Sequence, residues 1–304
     1  MALIESPASP LVPRLQGLHL FGFDGAPCAQ RVNFALAEKG LERARKVKWA
    51  DDHPAALVAP PGTYVYREVS LVRHDNLTEG YAAIQPNMVV PALVHDGRLY
   101  IESMDIIAYL DEAFPEQPLR PREPAAAALC DELVQLGKDL HVSVRHVTFH
   151  WSLGGLARTD TETEARVARL ERGDSPEGLA EFYRRFNGNA IELATFHQHL
   201  HELEDGYAQQ ETRLADGRPF LTGPDFSIAD IIWAIKVLRL TECAYPFARN
   251  FPHLAAWYRR VAARPGFRQG VLGRYKFVHH VFRVKGMLMN LFGRGVVNAS
   301  RVAA

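Results

Sequence analysis

Cysteine, net charge and long apolar runs are all scarce in this sequence. Its 304 residues contain 3 cysteines and no Cys-x-x-Cys pair, which argues against a disulfide framework or a zinc knuckle and favours a reducing, cytoplasmic location. Lysine plus arginine and aspartate plus glutamate number 35 each, so no overall field would attract nucleic acid or a membrane. No apolar run approaches the roughly 18 residues that a spanning helix needs. These absences are typical of a globular protein, and the length allows two domains.

The first 16 residues, MALIESPASPLVPRLQ, lack the basic start and the apolar core of a signal peptide. Prolines at positions 7, 10 and 13 interrupt any regular pattern. We therefore predict a flexible leader over residues 1–16.

Residues 17–115 alternate between strand and helix patterns. The Asp96-Gly97 pair predicts a β-hairpin within 89–103, and Thr78 predicts the cap of a short helix. Residues 41–65 contain a cluster of prolines and a glycine, which predicts mostly loop. The other predicted elements are strands at 17–24 and 65–72 and helices at 27–40 and 103–115. Their order predicts a small α/β domain with a mixed sheet.

Strand patterns fade in the second half of the chain. The stretch PEQPLRPREP holds four prolines and predicts a linker over 116–124. Residues 125–272 predict an all-α domain. One long helix is expected at 125–151, a second at 179–217 with a break near Gly188, and a third at 227–240, opened by a capping box of Ser227 and Asp230.

Residues 273–304 form an amphipathic C-terminal tail. Its apolar residues recur at 277, 281, 284, 288 and 291, with Lys276, Arg283, Lys285 and Arg294 among the cations. The tail is too short and too charged to span a membrane, but it could lie on a membrane surface. Packing over its own domain, as a lid on a cleft, is the simpler interpretation and the one we favour.

A proline stands between hydrophobic residues in VVPAL, just before the predicted hairpin. Because Pro91 cannot donate to a β ladder, it belongs at a strand start or at an edge. If the Val90–Pro91 bond is cis, the N–H and C=O of Val90 turn outward and could pair with a peptide-like ligand. The alternative is an ordinary trans proline.

Glu102 and Ser103 stand where the helix of 103–115 should begin. The backbone N–H groups of a helix N-terminus bind carboxylates, and Glu102 could bind an ammonium. The pair therefore suits the headgroup of an amino acid. The alternative is a capping serine beside a solvated acid.

Three segments of the chain, taken with these motifs, resemble the cytosolic glutathione transferase superfamily and occur in that family's order. They are PCAQRVNFALAEKGLE, NMVVPALVHDGRLYIESMDIIAYLDEAFP and FLTGPDFSIADIIWA, and the resemblance covers about residues 17–270. It implies a thioredoxin-like N-terminal domain at 17–115, an all-α substrate domain and a dimeric detoxification enzyme. Glutathione would be the co-substrate and no metal is expected. Pro91 would be the cis proline, Val90 would pair with the cysteinyl part of glutathione, and Glu102 and Ser103 would hold its γ-glutamyl end.

Cys28 follows Pro27 at the predicted start of a helix, with Arg31 one turn later. The helix dipole, the free N–H groups and the arginine all favour a thiolate there. The alternative is an inert cysteine that fills space as a small apolar residue.

Two departures from the family's pattern bear on this choice. Zeta-like members and the tetrachlorohydroquinone reductive dehalogenases resemble Ser-x-Cys over this stretch, whereas here the matching residues are Ala26, Pro27 and Cys28. The activating hydroxyl is therefore missing and the cysteine is kept. Against the omega-like Cys-Pro-Phe-Ala-Gln-Arg pattern, the cysteine position is again Ala26. Many members also have Gly and a Lys or Gln where this chain has Met88 and Val89, so one polar contact to glutathione is lost.

Histidines cluster in HVSVRHVTFHW and in HQHLH. His146 and His150 are one turn apart, as are His197 and His201, but neither pair has a third ligand, so a metal site is disfavoured. The resemblance makes His146, His150 and Trp151 candidates for the wall of the substrate site, because this first long helix usually lines that wall in the family.

We interpret the sequence as a glutathione-dependent transferase for a small hydrophobic electrophile. Reductive mixed-disulfide chemistry at Cys28 and direct conjugation both remain open. The alternative from another class is a non-catalytic glutathione-binding or protein-interaction member. Ala26 and Val89 favour that alternative, while Cys28, Val90–Pro91 and Glu102–Ser103 oppose it.

Overall fold

A computed structural model describes residues 3–170, 178–273 and 275–302 of the chain. These residues divide into two compact units. The first unit comprises residues up to 117 together with 158–188, and the second comprises 118–157 and 189 onward. None of the described helices is both long and apolar enough to cross a membrane.

The first unit is built on a six-stranded mixed sheet with the order β1-β6-β5-β2-β4-β3. β2 and β3 run parallel to β4, while β5 and β6 pair antiparallel beside β2. The predicted α/β layer is therefore confirmed. Its elements are β1 (Leu3–Ile4), β2 (Leu18–Gly22), α1 (Pro27–Glu38), β3 (Glu42–Lys48), β4 (Thr63–Glu68), α2 (Glu79–Ala82), β5 (Ala92–His95), β6 (Arg98–Ile101) and α3 (Ser103–Ala113).

The β5–β6 hairpin and the caps follow the local sequence signals. Asp96 and Gly97 both have positive φ, at 49° and 76°, which is the geometry that an Asp-Gly hairpin turn requires. The Thr78 side chain accepts a hydrogen bond from the N–H of Tyr81 and caps α2, as predicted. α3 differs slightly from expectation, because Glu102 is its N-cap residue and Ser103 is its first helical residue.

Residues 3–16 differ from the flexible leader that we predicted over 1–16. β1 pairs antiparallel with β6, and Leu11, Val12 and Leu15 are buried in a cluster with the sheet. The prolines prevent a long helix, but they do not prevent the apolar residues between them from packing. Full burial of each apolar side chain of this size contributes roughly 1.5–3 kcal/mol, which holds the segment in place.

Residues 41–65 also differ from expectation, since part of the predicted loop is strand β3. This strand lies at the sheet edge with mostly exposed, charged side chains, so it lacks the alternation that marks a strand in sequence. A fully buried arginine on β4 organises the loop between β3 and β4. Arg67 donates hydrogen bonds to the backbone oxygens of Trp49, Asp51 and Ala56 at 3.1, 2.7 and 2.6 Å.

The rest of the described chain is helical. The elements are α4 (Pro124–Asp139), α5 (His141–Val147), α6 (Thr161–Leu170), α7 (Leu179–Asn187), α8 (Leu193–Leu214), α9 (Ile228–Glu242), α10 (Phe247–Asn250), α11 (Pro252–Ala262), α12 (Pro265–Phe267) and α13 (Lys276–Leu291). Wider π-type turns cover Thr148–Leu153 and Arg268–Leu272. α6 and α7 belong to the first unit.

α9 is the central helix of the second unit, and nearly all of its side chains are buried. The predicted capping box is present at its start: the Ser227 N–H donates to an Asp230 carboxylate oxygen at 2.9 Å. The break predicted near Gly188 is confirmed, because α7 ends at Asn187 and Asn189 has φ +52°.

The prediction of a single long helix at 125–151 is wrong. α4 ends at Asp139, and after α5 the backbone widens into the π-type turn. β-branched residues are frequent from this point on and weaken helix propensity, because the helix restricts their side-chain rotamers. They are Val142, Val144, Val147 and Thr148.

Candidate active site

α1 begins at Pro27, with Ala26 as an N-cap residue whose side chain makes no capping hydrogen bond. Cys28 is the second helical residue and is half-buried, and its thiol is not in a disulfide. The other cysteines differ from it, because Cys130 and Cys243 are buried and burial raises the pKa of both thiols. Cys28 is therefore the cysteine whose surroundings best suit chemistry.

Arg31 lies one turn after Cys28 on α1 and is 3% exposed. Its Nε and Nη2 have no hydrogen-bond partner among the described residues. Residues three apart on a helix are neighbours, with about 5–6 Å between their Cβ atoms, so Arg31 and Cys28 share one face. Two buried guanidinium nitrogens without an acceptor are costly, and an anion bound beside them would remove that cost.

The segment before β5 is held by side chains from residues 76–85. Asn76 donates to the C=O of Met88 at 2.8 Å, Tyr81 to the C=O of Val89 at 2.9 Å and Gln85 to the C=O of Pro91 at 3.5 Å. The Val90–Pro91 peptide bond is cis, as the resemblance implies. Sequence reasoning missed these three supporting residues, although their polar side chains all precede the proline by fifteen residues or fewer.

Val90 itself differs from its neighbours. Neither its N–H nor its C=O takes part in a hydrogen bond with any described residue, although the residue is only 6% exposed. Buried backbone groups are almost always paired, so a water or a ligand is expected at this position.

Glu102 and Ser103 open α3, as predicted. Glu102 has φ +65°, a conformation that residues other than glycine adopt with some strain and that is often found at ligand sites. Asn87 donates to its carboxylate at 3.2 Å. Ser103 is 7% exposed, and the N–H groups of this first turn have no partners within the helix. Asn87 is another residue that sequence reasoning missed.

Met88 and Val89, which depart from the family's pattern, have a structural role here. Met88 is buried with Leu77 and Val167, and Val89 packs against the same cluster. Further side chains of α6 and α7 complete it, namely Leu170, Ala180 and Tyr183. Met88 has φ +54°, which favours glycine, so this packing must offset the strain.

The predicted substrate-wall residues lie in the second unit, around α5 and the π-type turn. His146 and His150 are partly buried, and both contact Phe196 of α8, with ring centroids 6.0 and 4.2 Å away. Burial, together with the nearby His197, lowers the pKa of His150, so its ring is neutral at pH 7. Trp151 is only 3% exposed and stacks on His197, so its indole belongs to the packed interior of this unit.

Two further histidines of α8, His199 and His201, make structural contacts. His199 donates a hydrogen bond from Nδ1 to a carboxylate oxygen of Glu202 at 2.9 Å, and His201 lies 2.9 Å from the C=O of Ala299. Within the described residues, no group of three metal-ligating side chains is brought together.

Comparison with protein families gives two matches on this chain. The model for the N-terminal domain of glutathione S-transferases matches residues 20–118, and the model for the C-terminal domain matches residues 168–260.

Curated relatives agree with these matches. Glutathione S-transferase Z1 of Arabidopsis thaliana is 35% identical over 106 residues, which are 35% of this chain and 38% of that protein. Tetrachloro-p-hydroquinone reductive dehalogenase of Sphingobium chlorophenolicum is 28% identical over 208 residues, which are 64% of this chain and 79% of that protein. The chain spans about two fifths of the length of the first curated relatives that it matches.

Solved structures share the fold. The β-etherase LigF from a Sphingobium strain has a TM-score of 0.68 at 22% identity, covering 84% of this chain and 98% of that one. Human glutathione transferase theta-2 in complex with glutathione has a TM-score of 0.62 at 15% identity, covering 90% and 91%. At these identities the likeness concerns the fold alone. The two domain models, however, match well over half of the chain in the family's own order, and the chain therefore belongs to the glutathione S-transferase family.

Proposed function

We propose that the protein is a glutathione-dependent transferase for a small hydrophobic electrophile, in which Cys28 resolves a glutathionyl intermediate. The observation that carries this proposal is the half-buried Cys28 thiol in the first turn of α1, followed one turn later by the buried Arg31 side chain, whose Nε and Nη2 have no hydrogen-bond partner among the described residues. A cation and a helix N-terminus both favour a thiolate, either that of Cys28 or that of glutathione.

Glutathione would bind along the edge formed by Val90 and the start of α3. The Val90 N–H and C=O, which lack partners among the described residues, suit the peptide groups of the cysteinyl part. The N–H groups beside Ser103 suit the γ-glutamyl carboxylate, and the Glu102 carboxylate suits its ammonium. Asn87 would hold the Glu102 side chain in position.

The reaction would proceed in three steps. The glutathione thiolate first displaces a leaving group such as halide from the electrophile and forms a thioether. The Cys28 thiolate then attacks the sulfur of that thioether, and the substrate carbon leaves with the electron pair and takes a proton. A second glutathione finally reduces the Cys28 mixed disulfide, which releases oxidised glutathione and restores the thiol.

The substrate class follows from the relatives and from the helical unit. One relative is named for tetrachloro-p-hydroquinone, so a halogenated aromatic ring is the first compound to test. His146 and His150 would form the substrate wall, and the neutral His150 ring could face an apolar substrate without a charge. Trp151 would support them from the interior. We further propose a cytoplasmic homodimer that needs no metal.

The test compares Cys28→Ser with Cys130→Ser, a control at a buried cysteine. Each protein receives glutathione with a chlorinated hydroquinone or with 1-chloro-2,4-dinitrobenzene, and oxidised glutathione, reduced product and conjugate are measured by chromatography. We expect Cys28→Ser to lose the reduced product and to accumulate the glutathionyl thioether, while the control behaves as wild type. A glutathionyl adduct on Cys28 should appear by mass spectrometry in the wild type and in the Cys130→Ser control, but not in Cys28→Ser.

Unchanged product ratios in Cys28→Ser would remove Cys28 from the mechanism and leave conjugation activated by the backbone and by Arg31. The uncapped Ala26 position favours a second function, a member that binds glutathione without turning it over. Retention of the wild type on immobilised glutathione, with no product from either electrophile, would support that second function.

A further inference from the structure

One face of α13 is apolar and open to solvent. Eight of the twelve large apolar side chains that are exposed in the described part of the chain lie between residues 277 and 292. The most exposed of these eight side chains are Phe277, Leu291 and Phe292, at 78%, 77% and 74%. The stripe predicted from sequence is therefore present. The expectation that the stripe itself packs over its own domain is wrong, because its side chains are exposed to solvent and α13 packs on its unit through the opposite face.

The opposite face of α13 is anchored firmly. Gly286 lies against the Cys243 backbone so closely that a Cβ there would be 2.6 Å from the Cys243 carbonyl carbon. Asn290 donates to the C=O of Ala244 at 3.1 Å, and Lys285, at the boundary between the two faces, donates to the C=O of Ser152. Because these contacts fix the rotation of the helix, the apolar face is held outward rather than left unpacked by chance.

Charge is segregated onto this part of the chain. Residues 275–304 contain no aspartate or glutamate but five lysines and arginines, although the whole chain is neutral. Arg301 pairs with Asp205, whereas Lys276, Arg283 and Arg294 are exposed and form no ion pair within the described residues. At 100° per residue, Lys276 and Lys285 lie at the two edges of the apolar face.

We propose that α13 docks this protein on an anionic lipid surface, with the helix in the plane of the interface and its apolar face in the acyl boundary. An apolar face about 24 Å long, flanked by cations and carrying phenylalanine and leucine, is the pattern of such interfacial helices. The absence of acidic residues complements anionic headgroups. A symmetric pairing with a second copy is disfavoured, because it would bring two acid-free cationic segments together.

Vesicle sedimentation tests the proposal with matched variants. The full chain is mixed with vesicles of phosphatidylcholine alone or of phosphatidylcholine with phosphatidylserine. We expect the wild type to bind the second kind and to be released by salt. A triple variant removes apolar side chains of the face, Phe277→Ser, Leu288→Ser and Leu291→Ser. Its control makes the same change at exposed apolar positions elsewhere, Val58→Ser, Val72→Ser and Leu193→Ser.

The triple variant of the face should lose sedimentation, and the control should bind as wild type. A second variant with Lys276→Gln, Arg283→Gln and Arg294→Gln should bind about fivefold more weakly per cation, or roughly a hundredfold in all. Circular dichroism and thermal midpoints confirm that each variant is folded. Equal loss in face and control variants, or a wild type that ignores phosphatidylserine, would overturn the proposal. Self-association of the wild type that only the face variant abolishes would also overturn it and assign the face to a second copy.

Discussion

His19, the second residue of β2, should make the protein sensitive to acid. Its ring is fully buried, with Nε2 2.9 Å from the C=O of Gln16 and Nδ1 accepting from the Arg67 Nε at 3.3 Å. Burial, reinforced by the positive charge of Arg67, lowers the pKa of His19 from its ordinary 6.5 to about 4. The folded protein therefore keeps the ring neutral where the unfolded chain protonates it.

The sign and size of the effect follow from this difference. The stability that depends on a neutral His19 is fully present above pH 6.5 and is lost as the pH falls from 6.5 to about 4. A pKa difference of about 2.5 corresponds to about 3 kcal/mol in all, of which about 2 kcal/mol is lost by pH 5.

The assay is chemical denaturation of the wild type and His19→Gln at pH 7.5 and pH 5. The variant cannot be protonated, so its free energy of unfolding should fall by about 2 kcal/mol less than that of the wild type over this interval. Replacement of an exposed histidine, His253→Gln, serves as the control and should keep the wild-type dependence. If His19→Gln showed the same pH dependence as the wild type, the ring would not be held neutral and the reasoning would fail.

Two further predictions concern helix packing and capping. Gly286→Ala should destabilise the protein by about 2 kcal/mol, because the added Cβ would meet the Cys243 backbone. The control Gly155→Ala has nothing within 4 Å of the added Cβ and should change thermal stability little. Equal thermal midpoints of the two variants would refute the close contact at Gly286. Ala26→Ser should raise the free energy of unfolding by about 1 kcal/mol, because the serine gives α1 the side-chain cap that it lacks. A lowered melting temperature would show that the buried hydroxyl finds no N–H donor at this position.

The sequence signals that succeeded were local ones. The hairpin at Asp96-Gly97, the Ser227–Asp230 capping box and the cap at Thr78 each depend on residues within four positions of one another. Local signals also placed Cys28 and Ser103 in the first turns of α1 and α3. The roles of Cys28, Val90, Pro91, Glu102 and Ser103 in a site stay predictions.

The failures concern interactions that sequence spacing does not encode. β3 carries mostly charged residues because it is an edge strand, and its place in the sheet depends on pairing with β4. The leader is held by contacts with β6, almost 100 residues away. The lack of a hydrogen-bond acceptor at Nε and Nη2 of Arg31 is likewise invisible in sequence, because it depends on which side chains the other described elements place nearby.

The return of α6 and α7 to the first unit has a consequence for biosynthesis. This unit cannot be complete when residue 117 leaves the ribosome, because Leu77 and Met88 are covered by Val167, Leu170 and Tyr183. The nascent chain must therefore expose Leu77 and Met88 while some 70 more residues are made. At the usual rate of about 5–20 residues per second, this exposure lasts roughly 4–14 seconds. During that interval the half-made chain is a natural client for a chaperone.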